Sequence, residues 1–210
     1  VIAAAQKMPK DEEVQSSAAA LVRNLAINED VRWTVAEKGG ISILLAAAEG
    51  HPDSPDVAAQ VACALWNLSQ TVDVAAEVAA SGAIDILVQM AATHLADATV
   101  QLGVCGCIRL VCVSDAAADL VISAHGLPTL MSASRAHGRR ADVQRAFVGA
   151  LWELASHGFS APVVAADGIG AVLRAAESHQ KEERLNARVA GVLRLLAVTD
   201  ESKQLIGEHE

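Results

Sequence analysis

A single register runs the length of this chain and leaves few folds open to it. The opening segment, VIAAAQKMPKDEEVQSSAAALVRNLA, aligns without a gap with LLAAAEGHPDSPDVAAQVACALWNLS, Leu44 to Ser69, at an offset of 43 residues. Both carry an alanine triplet, a proline at the same place (Pro9, Pro52), an acidic stretch and a run that ends in Asn-Leu. Val14, Val57, Val100, Val143 and Leu185 continue the register at intervals of 43, 43, 43 and 42, and Leu25, Leu68, Val111, Leu154 and Leu196 follow at the same intervals. A fixed period of this size marks a chain of stacked units, each too small to bury its apolar face alone.

Within each period the apolar residues recur at i, i+4, i+8 and i+11: Val57, Val61, Leu65, Leu68 in one unit and Val143, Phe147, Leu151, Leu154 in another. That spacing is one stripe of an α-helix. Ahead of it, a shorter helix such as Asp73 to Ala80 and a second such as Ile84 to Thr93 are expected, parted by Gly39, Gly82, Gly126 or Gly168 in a left-handed conformation. Pro128 suits the first turn of a second helix, where its missing N–H costs nothing. Composition agrees: 52% of residues are hydrophobic, yet only 2% are aromatic and none is tyrosine, so the core is built from Ala, Val, Leu and Ile. The expected fold is all-α, three helices per ~43-residue unit. The chain 1–210 reads as one run of units at 28–70, 71–113, 114–156 and 157–198, with part-units at 1–27 and 199–210.

The stretches ALWNLS (Ala64 to Ser69), ALWELA (Ala150 to Ala155), GGISILL (Gly39 to Leu45) and GAIDILV (Gly82 to Val88) resemble armadillo repeats of the catenin and Vac8-like kind. The resemblance covers the whole chain and implies a right-handed α-α superhelix, an armadillo-repeat solenoid. Because both ends fall inside a unit, it also implies a segment of a longer solenoid, with neighbouring armadillo repeats as partners beyond both ends.

The resemblance further implies that a partner segment, an extended peptide or a helix, lies in a concave groove lined by the third helices. Importin-like members carry there a Trp and, four residues on, an Asn. In this chain the Asn position holds Asn24, Asn67, Leu110, Glu153 and Leu195, and the Trp position holds Ala20, Cys63, Gly106, Gly149 and Gly191. The importin-type ladder is therefore absent, and recognition of nuclear signals by that route is not expected. A floor of small residues replaces it, either for close packing of helices or as a smooth track for a ligand.

Beside the Asn position, Arg23, Trp66, Arg109, Trp152 and Arg194 alternate along the units. Either Arg and Trp on neighbouring units stack, a contact of about 0.5–2 kcal/mol, or they anchor a ligand, since Trp and Arg dominate binding hot spots. The candidate binding residues are thus Arg23, Asn24, Cys63, Trp66, Asn67, Arg109, Leu110, Trp152, Glu153, Arg194 and Leu195.

Other features read as structural. His51, His94, His137 and His179 share one place at the end of the second helix, where a donor suits the carbonyl end, the alternative being a pH-sensitive ridge; one unit apart, they are too distant to share a metal. Asp56, Asp97 and Asp142 precede long helices, where an acid complements the helix dipole. Arg135, Arg139, Arg140 and Arg145 gather near one loop, as a solvated surface or as a docking patch for an acidic partner. Cys63, Cys105, Cys107 and Cys112 lie in apolar helical stretches, without zinc spacing, as reduced thiols of an intracellular, cytoplasmic protein.

Charge excludes more. Residues 1–134 carry 15 acids and 6 bases, whereas 135–210 carry 10 of each. A nucleic-acid partner needs a basic stripe, which the acidic part lacks. There is no membrane-length apolar run, no phosphate loop, no HExxH, no GxSxG and no CxxC pair. The expected function is non-enzymatic, without cofactor or metal: a protein-binding scaffold. The alternatives are a structural component of a large assembly, such as a ciliary axoneme or cytoskeletal array, and a regulatory domain of a larger enzyme.

Overall fold

The computed structural model describes residues 2–207, and among these every regular element is a helix. After α1 (Ile2–Lys7) and α2 (Glu12–Leu25), four units follow, each of a short, a middle and a long helix. They are α3 (Glu29–Glu37), α4 (Gly40–Gly50) and α5 (Pro55–Leu68); α6 (Val72–Ala80), α7 (Ala83–Thr93) and α8 (Ala98–Val111); α9 (Asp115–Ser123), α10 (Gly126–Ala136) and α11 (Ala141–Leu154); and α12 (Ser160–Ala165), α13 (Gly168–Ser178) and α14 (Glu183–Leu196). A final α15 spans Asp200–Gly207. Val1 and residues 208–210, the outermost parts of the two expected part-units, lie outside the described residues.

The long helices are each 14 residues and begin two residues before the Val or Leu that opens the apolar stripe. They pack in a row, α2 on α5, α5 on α8, α8 on α11 and α11 on α14. The middle helices form a second row from α4 to α13, and the short ones a third from α3 to α9. Between the rows the stripes meet: Leu44, Leu65, Leu68, Leu87, Ile108, Leu130, Phe147, Leu151 and Leu154 are fully buried. Each such side chain contributes about 1.5–3 kcal/mol.

The helix starts weaken along the chain. Asp11, Ser54 and Asp97 cap α2, α5 and α8 by accepting from backbone N–H groups two or three residues on, at 2.7–3.2 Å. Arg140 and Glu182 stand in the same place before α11 and α14 and make no such bond. Of the three acids expected to precede a long helix, Asp97 alone does. Asp56 lies inside the first turn of α5, where Ser54 already caps. Asp142 lies inside α11 and takes two hydrogen bonds from Arg140, at 2.7 and 3.0 Å.

The corner between short and middle helices corrects the reading of two glycines. Gly39 and Gly82 are left-handed as expected, at φ 84° and 83°. In the next two units the left-handed residues are His125 (φ 60°) and Asp167 (φ 65°), not Gly126 and Gly168. His and Asp tolerate that conformation better than bulkier residues do. Gly126 and Gly168 open α10 and α13 instead, as Gly40 opens α4. A Cβ there would lie 2.5–2.7 Å from Cγ1 of Val121, Val163 or Val35, a close approach that the matching unit adjusts to with Ala83 and Val78. The 42-residue interval has its own cause. A kink over Ala155–Phe159, where His157 and Gly158 leave helical geometry and Gly158 has φ 90°, carries α11 into a six-residue α12.

Two polar ladders run along the chain, one within units and one between them. Gln101 Nε2 donates to the carbonyls of Ala91 and His94 at 2.9 and 3.0 Å, clamping the end of α7. Gln15 and Gln144 do the same for α1 and α10, whereas the shorter Asn186 reaches only the turn after α13, at the carbonyls of His179 and Gln180. The histidines do more than finish their own helices. Nε2 of His51, His94, His137 and His179 donates to the carbonyl of Pro9, Pro52, Leu95 and Gly138, each in the preceding unit, at 2.8–3.0 Å. The acceptor is backbone, so a proline, a leucine or a glycine serves equally.

Candidate functional site

All eleven candidate residues lie on the row of long helices: Arg23 and Asn24 on α2; Cys63, Trp66 and Asn67 on α5; Arg109 and Leu110 on α8; Trp152 and Glu153 on α11; Arg194 and Leu195 on α14. Asn24 and Arg194 are exposed and the other nine half-buried. One face of the row therefore carries every position singled out by the register.

The small residues and the Arg–Trp alternation turn out to be one arrangement. A Cβ on Gly106 would sit 2.6 Å from Cε2 of Trp66, and one on Gly191 would collide with the ring of Trp152. On Gly149 it would meet the stem of Arg109, and would lie 2.7 Å from Nη1 of Arg188. Each large side chain thus lies across the glycine of the unit that follows. The glycines are seats: any side chain there displaces an indole or a guanidinium stem.

The two asparagines part company. Asn67 Nδ2 donates to the backbone carbonyl of Arg23 at 3.0 Å and so joins α5 to α2. Asn24 Oδ1 accepts from its neighbour Arg23 at 3.3 Å and stays exposed. One is spent on packing and the other is available.

Beyond Trp66 the row opens into a pocket of about 460 Å³. Its walls are Trp66, Leu102, Arg109, Arg145, Arg184 and Arg188, with Asp142 at the rim. Leu102, Arg145, Arg184 and Arg188 escaped the register-based choice of site. Arg184 and Arg188 are one turn apart on α14, and the gain of bases after residue 134 was the only sign of them. The loop cluster of arginines does not hold together as one patch. Arg145 faces this pocket, Arg140 pairs with Asp142, and Arg135 lines a different recess with Arg174.

The electrostatics of the pocket are unbalanced. Asp142 is taken by Arg140 at 2.7 Å, and Arg145 reaches Glu182 at 3.7 Å. Among the described residues no carboxylate comes within 4.0 Å of Arg109, Arg184 or Arg188. Burial, then the positive charge of Arg188, lower the pKa of Arg109; Glu153 offsets this in part. Burial raises the Glu153 carboxyl against the pull of Arg109, His157 and Arg188.

The thiols offer little chemistry. Burial pushes Cys105, Cys107 and Cys112 up to about 12, and all four cysteines are free. Cys63, in the row, is also raised by burial, although Arg23 draws it down. Thiols held protonated are poor nucleophiles and poor metal ligands. No group of three His, Cys, Asp or Glu among the described residues is arranged to hold a metal, and no single helix is long and apolar enough to cross a membrane.

No protein-family model matches the chain, and no curated protein sequence does. Among solved structures, the crystal structure of an engineered protein superposes with a TM-score of 0.80, over 95% of this chain and 80% of that one, at 19% sequence identity. At that identity the likeness concerns the fold alone.

Proposed function

We propose that this chain is an armadillo-type solenoid that serves as a non-enzymatic scaffold, binding a protein segment along the row of long helices. The observation that carries this reading is the row itself: half-buried Trp66, Arg109 and Trp152, with Leu110 and Glu153 beside them, line up on one face of stacked units. Aromatic and arginine side chains held in place by packing make strong anchors because little rotamer freedom remains to be lost on binding. Four free thiols fit an intracellular setting.

The experiment compares proteins that co-purify with the wild-type chain and with Trp152→Ala, with circular dichroism to check that the variant is folded. Loss of specific partners from a folded variant is the expected result. An unchanged set of partners from a folded variant removes this face from the mechanism.

A further inference from the structure

We propose that the arginine pocket between α8, α11 and α14 receives the phosphate of a phosphorylated peptide segment; this rests on the groove-binding reading above. Arg109 and Arg188 come from units on either side of Gly149 and converge over it, where a Cβ would touch both side chains. Arg184 stands one turn from Arg188 on the same wall, and Arg145 closes the group. Like charges held this close repel, and a protein normally places a carboxylate among them. Here Asp142, which also lines the pocket, is engaged by Arg140, and Glu182 offsets Arg145 alone, which leaves Arg109, Arg184 and Arg188 without a paired carboxylate. Glu153 lies farther off, without a direct ion pair to Arg109 or Arg188.

An anion relieves that repulsion. A single carboxylate matches the fork of one guanidinium. A phosphomonoester brings a charge of about −1.5 to −2 and three acceptor oxygens, which suit two or three arginines at once. The other wall identifies the carrier. Trp66 and Leu102 supply an apolar side to the pocket, and its volume of about 460 Å³ leaves room for more than the phosphate. A peptide fits that description, with an apolar side chain near its phosphorylated residue. Nucleic acid fits poorly, because between Gly39 and Ser134 nine acids stand against the one base Arg109.

The test uses the 210-residue chain and immobilised pools of short random peptides centred on phosphoserine, serine or glutamate. Retention on the phosphoserine pool is expected to exceed that on the serine pool at least about ten-fold, with glutamate between them. Arg109→Gln with Arg188→Gln removes the preference, as does Arg184→Gln alone in part, and Arg135→Gln, in the other recess, keeps it. Thermal melting confirms that each variant is folded. Equal retention on the phosphoserine and serine pools, lost in Trp152→Ala, overturns the phosphate proposal and leaves the groove reading standing. Retention on none of the pools overturns both. Inorganic phosphate that displaces the chain as effectively as a phosphopeptide overturns the peptide part, since the site then takes a free anion.

Discussion

Trp66 and Arg109 occupy the same place in consecutive units, and each lies across a glycine of the next, yet the two seams are chemical opposites. At Gly106 the visitor is a half-buried indole, which with Leu102 forms the apolar wall of the pocket. At Gly149 the visitors are two arginines without a direct carboxylate partner. The backbone repeats, so the difference is entirely one of side chains. A repeat architecture fixes where a large side chain can lie; the individual unit decides whether that place is a packing contact or a store of unbalanced charge.

The largest expected effect breaks the first seam. Gly106→Leu drives a side chain into the Trp66 ring and should destabilise the protein by about 3 kcal/mol, measured by chemical denaturation. Gly149→Ala meets flexible arginine side chains instead. These swing aside, and alanine favours helix over glycine, so stability should stay within about 1 kcal/mol of wild type. Gly106→Ala, the like-for-like variant, should lose more than Gly149→Ala; equal losses in these two would show that the seams are mechanically alike.

The polar ladders allow a finer comparison. Gln101 is fully buried and clamps two carbonyls, whereas the same place in the preceding unit holds Ala58. Gln101→Ala leaves both acceptors without their donor and should cost about 2 kcal/mol. Hydrogen exchange near His94 should then rise toward the level near His51, and no change there would show the clamp to be dispensable. His94→Ala removes one bond between units, to the carbonyl of Pro52, and should cost about 1 kcal/mol. The smallest effect belongs to Asp142. Its carboxyl is held below the usual value chiefly by the hydrogen bonds from Arg140. A lowered acid stabilises the fold above its ordinary pKa and loses that contribution as pH falls through the lowered one. The stability gap between wild type and Asp142→Asn should therefore be present at neutral pH and close in acid; a gap that persists in strong acid would rule out the ion pair as its source.

Much of the fold was legible because periodicity is a local property. Val57, Val61, Leu65 and Leu68 mark a helical stripe whatever surrounds them, and α5 covers them all. The left-handed corners were legible only to within one residue. Glycine marks two of them, but His125 and Asp167 take the conformation elsewhere, while Gly126 and Gly168 make room for valine side chains. The site was legible in part for the same reason. Register placed Trp66, Arg109 and Trp152 on one face, but it carried no information on what each touches.

The sequence by itself determined the all-helical units, their length and the face they share, since these follow from 3.6-residue spacing and from the interval between units. Tertiary structure alone decided that the histidines reach back to the preceding unit, that the glycines seat the tryptophans and arginines, and that Arg109, Arg145, Arg184 and Arg188 surround one pocket. Those are distances between residues about 40 to 80 positions apart, and they depend on how one unit is rotated against the next. No pattern within a single unit encodes that rotation. It comes from how the buried side chains of two units fit together.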